Sequence, residues 1–363
     1  MFLLLFNESE CGFSMAILTK TKSDAEDYMK YKNKFISALA LTTGLILAAP
    51  SQAATVWKVA AGDNEGSAQH AFGLKFKEAL NTGSGGKYDV KLFMASTLGS
   101  EQDTVNDVSL DTLDFSILAV NNLTPFSPTV GIFTLPYVVQ SLDDAVTLTQ
   151  GSVGQELVEN SVRDAGVRIV GWTYTGFRVL TNSKKPVRTL DDLKDVVVRV
   201  PKNEIMIDTY KAWGINPTPM AWSETFTALQ QGVVDGQDNP YVTVNAMKFY
   251  EVQKYVTNIR YIFSIEPMIM SEQLFQSLKP DMQKVVLDAG LAATKASETF
   301  LIENEAKIRQ NLIQHGMKIV DPANGEKEWI ERATGQVWPK YYDSIGGKDK
   351  LNKALRALGR DEV

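Results

Sequence analysis

Arginine 199 sits inside "DVVVRVP", the stretch Asp195 to Pro201. Val196, Val197, Val198 and Val200 predict a short strand buried on both faces, and a cation in such a place must be paired with an anion. One available answer is an internal ion pair with a local carboxylate such as Asp192. The other is an anion that is not part of the chain. Few other residues offer chemistry. The chain has two histidines, His70 and His315, and one cysteine, Cys11. Metal sites built on His and Cys, and nucleophile mechanisms that need an imidazole, have almost no material here. No Ser/His, Cys/His or metal constellation is visible, so no catalytic residue, metal or cofactor is assigned. "TGSGGK" (Thr82 to Lys87) is only superficially a phosphate loop: it leads into a strand, and Tyr88 stands where a hydroxyl residue is needed.

The elements that must hold Arg199 follow from patterning. A chain of 363 residues, 44% hydrophobic and 22% charged, is globular and long enough for two domains. Its net charge of −6, with no Lys/Arg block, gives no footprint for nucleic acid. From Met29 the sequence reads as an export signal: Lys30, Lys32 and Lys34, an apolar stretch from Phe35 to Ala49, then Ser51-Gln52-Ala53. Cleavage is expected after Ala53, Met29 is the expected start, and residues 1–53 are leader and signal. Cys11 lies in that leader, so the exported chain has no thiol chemistry.

The remaining chain alternates strand and helix patterns. "TVWKVAAG" (Thr55 to Gly62) predicts a strand, and Ser67 caps a helix running to Leu80. "YDVKLFM" (Tyr88 to Met94) and "LDFSILAV" (Leu113 to Val120) predict two more strands around a helix beginning in "GSEQD". This rhythm implies a mostly parallel sheet with helices on both faces. A second such block starts at "VRIVGWTYTGFRVLTNS" (Val167 to Ser183). Thr189 with Asp192 caps a short helix before the Arg199 strand, and Ser223 caps a helix through Leu229. Gly232 stops that helix, and Val233-Val234 is expected as a short strand. Pro280 opens a long helix toward Gly316.

The combination "GFRVLTNS", "DDLKDVVVRVP", "GINPTPMAWSETFTALQQGVVDGQDNP" and "KFYEVQKYV", with "LGSEQD" earlier, resembles the solute receptors of tripartite ATP-independent periplasmic (TRAP) transporters, the C4-dicarboxylate-receptor-like group. The resemblance spans the chain from Thr55 to the C-terminal helix. It departs at Asp195, where such receptors usually carry Gly; at Asp238-Asn239-Pro240, where they carry Glu-Asn-Pro; and near Arg260-Tyr261, where they often have a histidine. Asp tolerates the left-handed backbone that Gly would supply.

The resemblance implies a two-lobed α/β periplasmic-binding-protein fold, each lobe a mixed, mostly parallel sheet flanked by helices, with a long C-terminal helix bridging them. Residues 54–175 plus 264–303 would form one lobe, and 176–263 plus 304–363 the other. It also assigns the Arg199 guanidinium to a ligand carboxylate, a match its planar fork suits. Arg178 would line the same cleft, Asn239 would help hold the carboxylate, and Trp222 would pack against the ligand, with Tyr241 nearby. The loop after "LDFSILAV" carries Ala119, Asn121 and Asn122 but no charge, which disfavours sialic acid. With Asp63, Asn64 and Glu65, these residues suit the hydroxyls of a uronate or aldonate better than a second carboxylate. The implied protein is a periplasmic monomer that delivers its acid to the small and large membrane subunits of an ion-gradient-driven permease. The alternatives are a receptor for a C4-dicarboxylate or another small carboxylate, a receptor of an ATP-driven transporter, and an exported enzyme acting on acids.

Overall fold

The computed structural model describes residues 53–363; the leader and signal segment lie outside the described residues. Ten strands carry the fold: β1 (Thr55–Ala61), β2 (Tyr88–Phe93), β3 (Phe115–Ile117), β4 (Val167–Asn182), β5 (Val198–Val200), β6 (Thr218–Pro219), β7 (Gly236–Pro240), β8 (Tyr255–Thr257), β9 (Phe263–Ser271) and β10 (Lys318–Val320). Their order is β2-β1-β3-β9-β4-β7-β5-β6, with β8 on β4 and β10 on β8. Pairings are parallel among β2, β1 and β3 and among β7, β5 and β6, and antiparallel wherever β4 or β9 takes part. The architecture is therefore the two-lobed, mixed α/β fold.

β4 joins the two halves. Val167 to Phe177 pair with β9, whereas Arg178 to Asn182 pair with β7. The exchange occurs beside a register shift at Gly176, whose φ of 92° favours a residue without Cβ. The helix Pro280–Gln314 lies along β4 and covers its free edge. Thr294 Oγ1 accepts from the Trp172 N–H at 2.9 Å and Ser297 Oγ from the Tyr174 N–H at 2.8 Å, replacing ladder bonds that an edge would leave open. Contact is close enough that a Cβ on Gly290 would stand 1.8 Å from the Val170 carbonyl oxygen. This helix is not the last element; β10 and the helices Lys327–Tyr341 and Lys348–Ala357 follow it.

Several local expectations are met by specific bonds. Ser67 Oγ accepts from the His70 N–H, and Thr189 and Asp192 bond reciprocally, though around a 3₁₀ turn (Asp191–Leu193). Asp195 has φ 66°, the left-handed conformation. Others are corrected. The Arg199 strand is shorter than expected: Val198–Val200 is buried throughout, whereas Val197 precedes it and is 41% exposed. The strand expected from Leu113 to Val120 is only Phe115–Ile117, because Val120 starts a short helix. Ser223 is not the cap of the next helix: Ala221 is, with Glu224 accepting its N–H. Val233-Val234 form no strand; Val233 is 58% exposed in the turn before β7.

Candidate functional site

The strands end at a cavity of about 310 Å³, counting the space that opens to solvent. β5 delivers Arg199 between Val198 and Val200, which are fully buried and anchor the strand. β4 delivers Arg178, β7 delivers Asn239, and Trp222 opens the helix Trp222–Gln230. Asn122 arrives from the short helix Val120–Leu123. All five line the cavity. The two remaining expected residues do not. Asn64 turns away to donate to the Ala246 carbonyl at 3.4 Å, and Tyr241 lines a different cavity. Tyr241 opens the helix Tyr241–Ala246, so the helical turn and not strand alternation sets its direction; Asn239 before it and Thr243 after it line the cleft. Exposed Glu65 is also outside.

The two arginines differ in their partners. Arg178 Nε donates to Asp238 Oδ2 at 2.6 Å, and its Nη2 reaches the Asp238 carbonyl. Tyr261 also donates to Asp238. Burial opposes this guanidinium's charge, but Asp238 outweighs it and raises its pKa. The departure from Glu at 238 therefore leaves a carboxylate that serves Arg178. Arg199 is equally buried but forms no ion pair among the described residues. Its Nε and Nη2 donate to the Met220 carbonyl at 3.2 and 2.7 Å, and its guanidinium lies 5.7 Å from the Trp222 ring. Asp192 is engaged instead by the N–H groups of Arg188 and Thr189. Burial, and then the Arg178 charge, pull the Arg199 pKa down to about 9.

Facing the arginines are groups that sequence reasoning missed. Gln69, Glu101, Glu266 and Thr243 line the cavity, together with the expected Asp63. Gln69 links them: its Oε1 accepts from the Asp63 N–H at 2.9 Å, and its Nε2 donates to Glu266 at 2.9 Å and Glu101 at 3.4 Å. Glu101 accepts from the Ala119 N–H at 3.1 Å and from Asn122. Burial raises all three carboxyls. With Glu101 adding repulsion, Asp63 reaches about 7; with Asp63 and Glu101 adding theirs, Glu266 reaches about 8. Near neutral pH this wall can both donate and accept hydrogen bonds.

The walls meet across the cleft. Trp222 Nε1 donates to the Gly62 carbonyl at 3.2 Å, Thr243 Oγ1 to Asp63 at 3.2 Å, and Asn203 Nδ2 to the Asn121 carbonyl at 3.0 Å. A Cβ at Gly62 would stand 2.5 Å from Glu101 Oε1 and would push that carboxylate aside. A cavity with a cationic end and a hydrogen-bonding wall, closed between two lobes, defines a small-molecule receptor.

Residues 59–344 match the family of bacterial extracellular solute-binding proteins, family 7, and the chain belongs to that family. It is 33% identical over 258 residues to a solute-binding protein of Roseobacter denitrificans, a match covering 71% of this chain and 79% of that one. The crystal structure of that relative, a TRAP periplasmic solute-binding protein with bound L-galactonate, superposes with a TM-score of 0.78 at 30% identity, covering 82% of this chain and 98% of that one. A TRAP solute-binding protein of Polaromonas sp. JS666, bound to D-erythronate, gives 0.77 at 30% identity and covers 83% and 98%. The protein is thus a TRAP-type solute-binding protein, of a family of receptors and not of enzymes. No helix among the described residues is long and apolar enough to cross a membrane.

Proposed function

We propose that this receptor binds a monocarboxylate sugar acid, with Arg199 as the carboxylate anchor. The observation that carries the reading is the buried Arg199 guanidinium, which lines the cavity and forms no ion pair among the described residues. Asn239, Trp222 and Arg178 border the same end. The hydroxyls would meet Asp63, Gln69, Glu101, Asn122 and Glu266. L-galactonate and D-erythronate, the ligands of the two relatives, have these same two halves. A dicarboxylate fits worse, because its second carboxylate would face three acidic side chains.

The lobes divide on either side of the β4 exchange, residues 54–175 with 264–303 and 176–263 with 304–363. In this reading the chain is exported to the periplasm by a cleaved signal and acts as a monomer. It hands the acid unchanged to the small and large permease subunits. A thermal-shift panel of aldonates, uronates and C4-dicarboxylates tests it. Stabilisation by one or more sugar acids and none by succinate or malate is expected. Stabilisation by dicarboxylates alone overturns the ligand class, and recovery of an altered acid after incubation, read by NMR, overturns the receptor-only role.

A further inference from the structure

A second cavity lies behind the cleft, on the opposite side of β4. Successive strand residues point to opposite faces: Arg178 lines the cleft, and Phe177 lines this second cavity. Past β7, Asn239 and Thr243 line the cleft, whereas Tyr241, the first residue of the helix Tyr241–Ala246, lines the second cavity. The second cavity, open to solvent, spans about 950 Å³, and its apolar lining comes from Leu142, Phe177, Phe263, Leu301 and Ile302.

Two guanidinium groups border this apolar surface. Arg260 stacks over the Phe177 ring at 4.1 Å, and Arg309 over the Tyr241 ring at 5.0 Å. The ion pairs among the described residues engage six other arginines and neither of these two. Glu305, one turn before Arg309 on the long helix, lines the same cavity without pairing with it. A guanidinium stacked on an aromatic face keeps its in-plane N–H groups available to a planar anion. Two of them beside an apolar wall match a molecule with an anionic head and an apolar body.

We propose that this cavity is a second binding site, distinct from the sugar-acid cleft, for an amphipathic organic carboxylate. Arg260 and Arg309 hold the carboxylate, and Phe177, Phe263, Leu301 and Ile302 cover the apolar body. The site is built at the β4 exchange, beside Gly176, so its occupant contacts both halves of the fold.

Calorimetric titration of the exported chain with phenylacetate tests the proposal, using inorganic sulfate as the bare-anion arm. Four proteins are compared: wild type, Arg199→Ala, the Arg260→Gln/Arg309→Gln double variant, and Ile302→Asp. Ile302 is 69% exposed, so the last variant keeps the core intact. Phenylacetate is expected to bind wild type and Arg199→Ala equally. Losing charge-assisted hydrogen bonds, or adding a like charge, should weaken it about tenfold or more in the other two. Sulfate is expected to bind more weakly than phenylacetate. No phenylacetate binding to wild type overturns the proposal. So does binding that Arg199→Ala abolishes while Arg260→Gln/Arg309→Gln and Ile302→Asp retain it, or sulfate binding as tight as phenylacetate. None of these outcomes depends on which acid occupies the cleft.

Discussion

Replacing Arg199 with methionine keeps an unbranched apolar body in the buried strand and removes the cation. Two effects of opposite sign follow. Burial and Arg178 bring the guanidinium pKa from its ordinary 12.5 to about 9. At about 1.4 kcal/mol per unit, the folded protein carries this charge at a disadvantage on the order of 4–5 kcal/mol near neutral pH. The folded value lies below the unfolded one, so the penalty is full below about pH 9 and is relieved as the pH rises through it. Bonds to the Met220 carbonyl offset part of it, at roughly 1.5–3 kcal/mol for a charged donor. Without ligand, Arg199→Met should therefore melt no lower than wild type, with any gain worth roughly 2–4 °C per kcal/mol. Binding moves the other way. Removing one side of a buried, hydrogen-bonded charge pair costs about 2–5 kcal/mol. That weakens affinity by roughly 30- to 4,000-fold. Arg199→Lys, which keeps the charge and loses the fork, should fall in between. Differential scanning calorimetry without ligand and titration with the best acid of the panel measure both effects on the same samples. A methionine variant that melts far below wild type yet binds normally would show that Arg199 is structural and refute the reasoning.

The acidic wall makes stability depend on pH. Asp63 and Glu266 titrate near 7 and 8 when folded, against ordinary values of 3.8 and 4.5, so the folded state holds extra protons between about pH 4 and 8. Stability from this source is full below that window and is lost as pH rises through it; Asp63→Asn with Glu266→Gln should flatten the Tm profile across pH 5–8, and an unchanged slope would count against the coupling. For the buried Arg178–Asp238 pair, Asp238→Asn should destabilise by about 3–5 kcal/mol, and Arg178→Met/Asp238→Leu should recover much of that; urea unfolding of the three proteins decides. Mass spectrometry of the exported protein should find its N-terminus at Ala54, and retention of residues 1–28 would contradict the reading of the leader. Small-angle scattering should show a smaller radius of gyration with bound acid than without, whereas an unchanged radius at saturation would argue against lobe closure.

Much of the fold was legible because its signals are local. Ser67, Thr189 with Asp192, Pro280 and Asp195 act on backbone groups within a few residues, and each acts where the sequence places it. The misread elements are those in which local signals compete. Ser223 is a good cap, but Glu224 takes the Ala221 N–H and moves the start back. Val233-Val234 has strand composition, but the ladder opposite β4 is taken by Gly236 to Pro240. Within the site, Glu266 carried the same signal as Arg199, a lone charge in the apolar run "FSIEPMIM", and Glu101 was concealed because an acid at a helix start is explained by capping alone.

By itself, the sequence determined that a buried cation stands at position 199 and needs an anion, because flanking valines desolvate it whatever the rest of the chain does. It equally determined that histidine- or cysteine-dependent chemistry has almost no material here. Only the tertiary structure decided which arginine keeps its charge available. Asp238 lies sixty residues from Arg178 and reaches it through the β4–β7 pairing, whereas no carboxylate among the described residues is brought within ion-pairing distance of Arg199. The structure likewise decided what faces the arginines, since Asp63, Glu101 and Glu266 come from three separate elements. Charge compensation depends on distance in space, and sequence separation carries no information about it until the sheet is built.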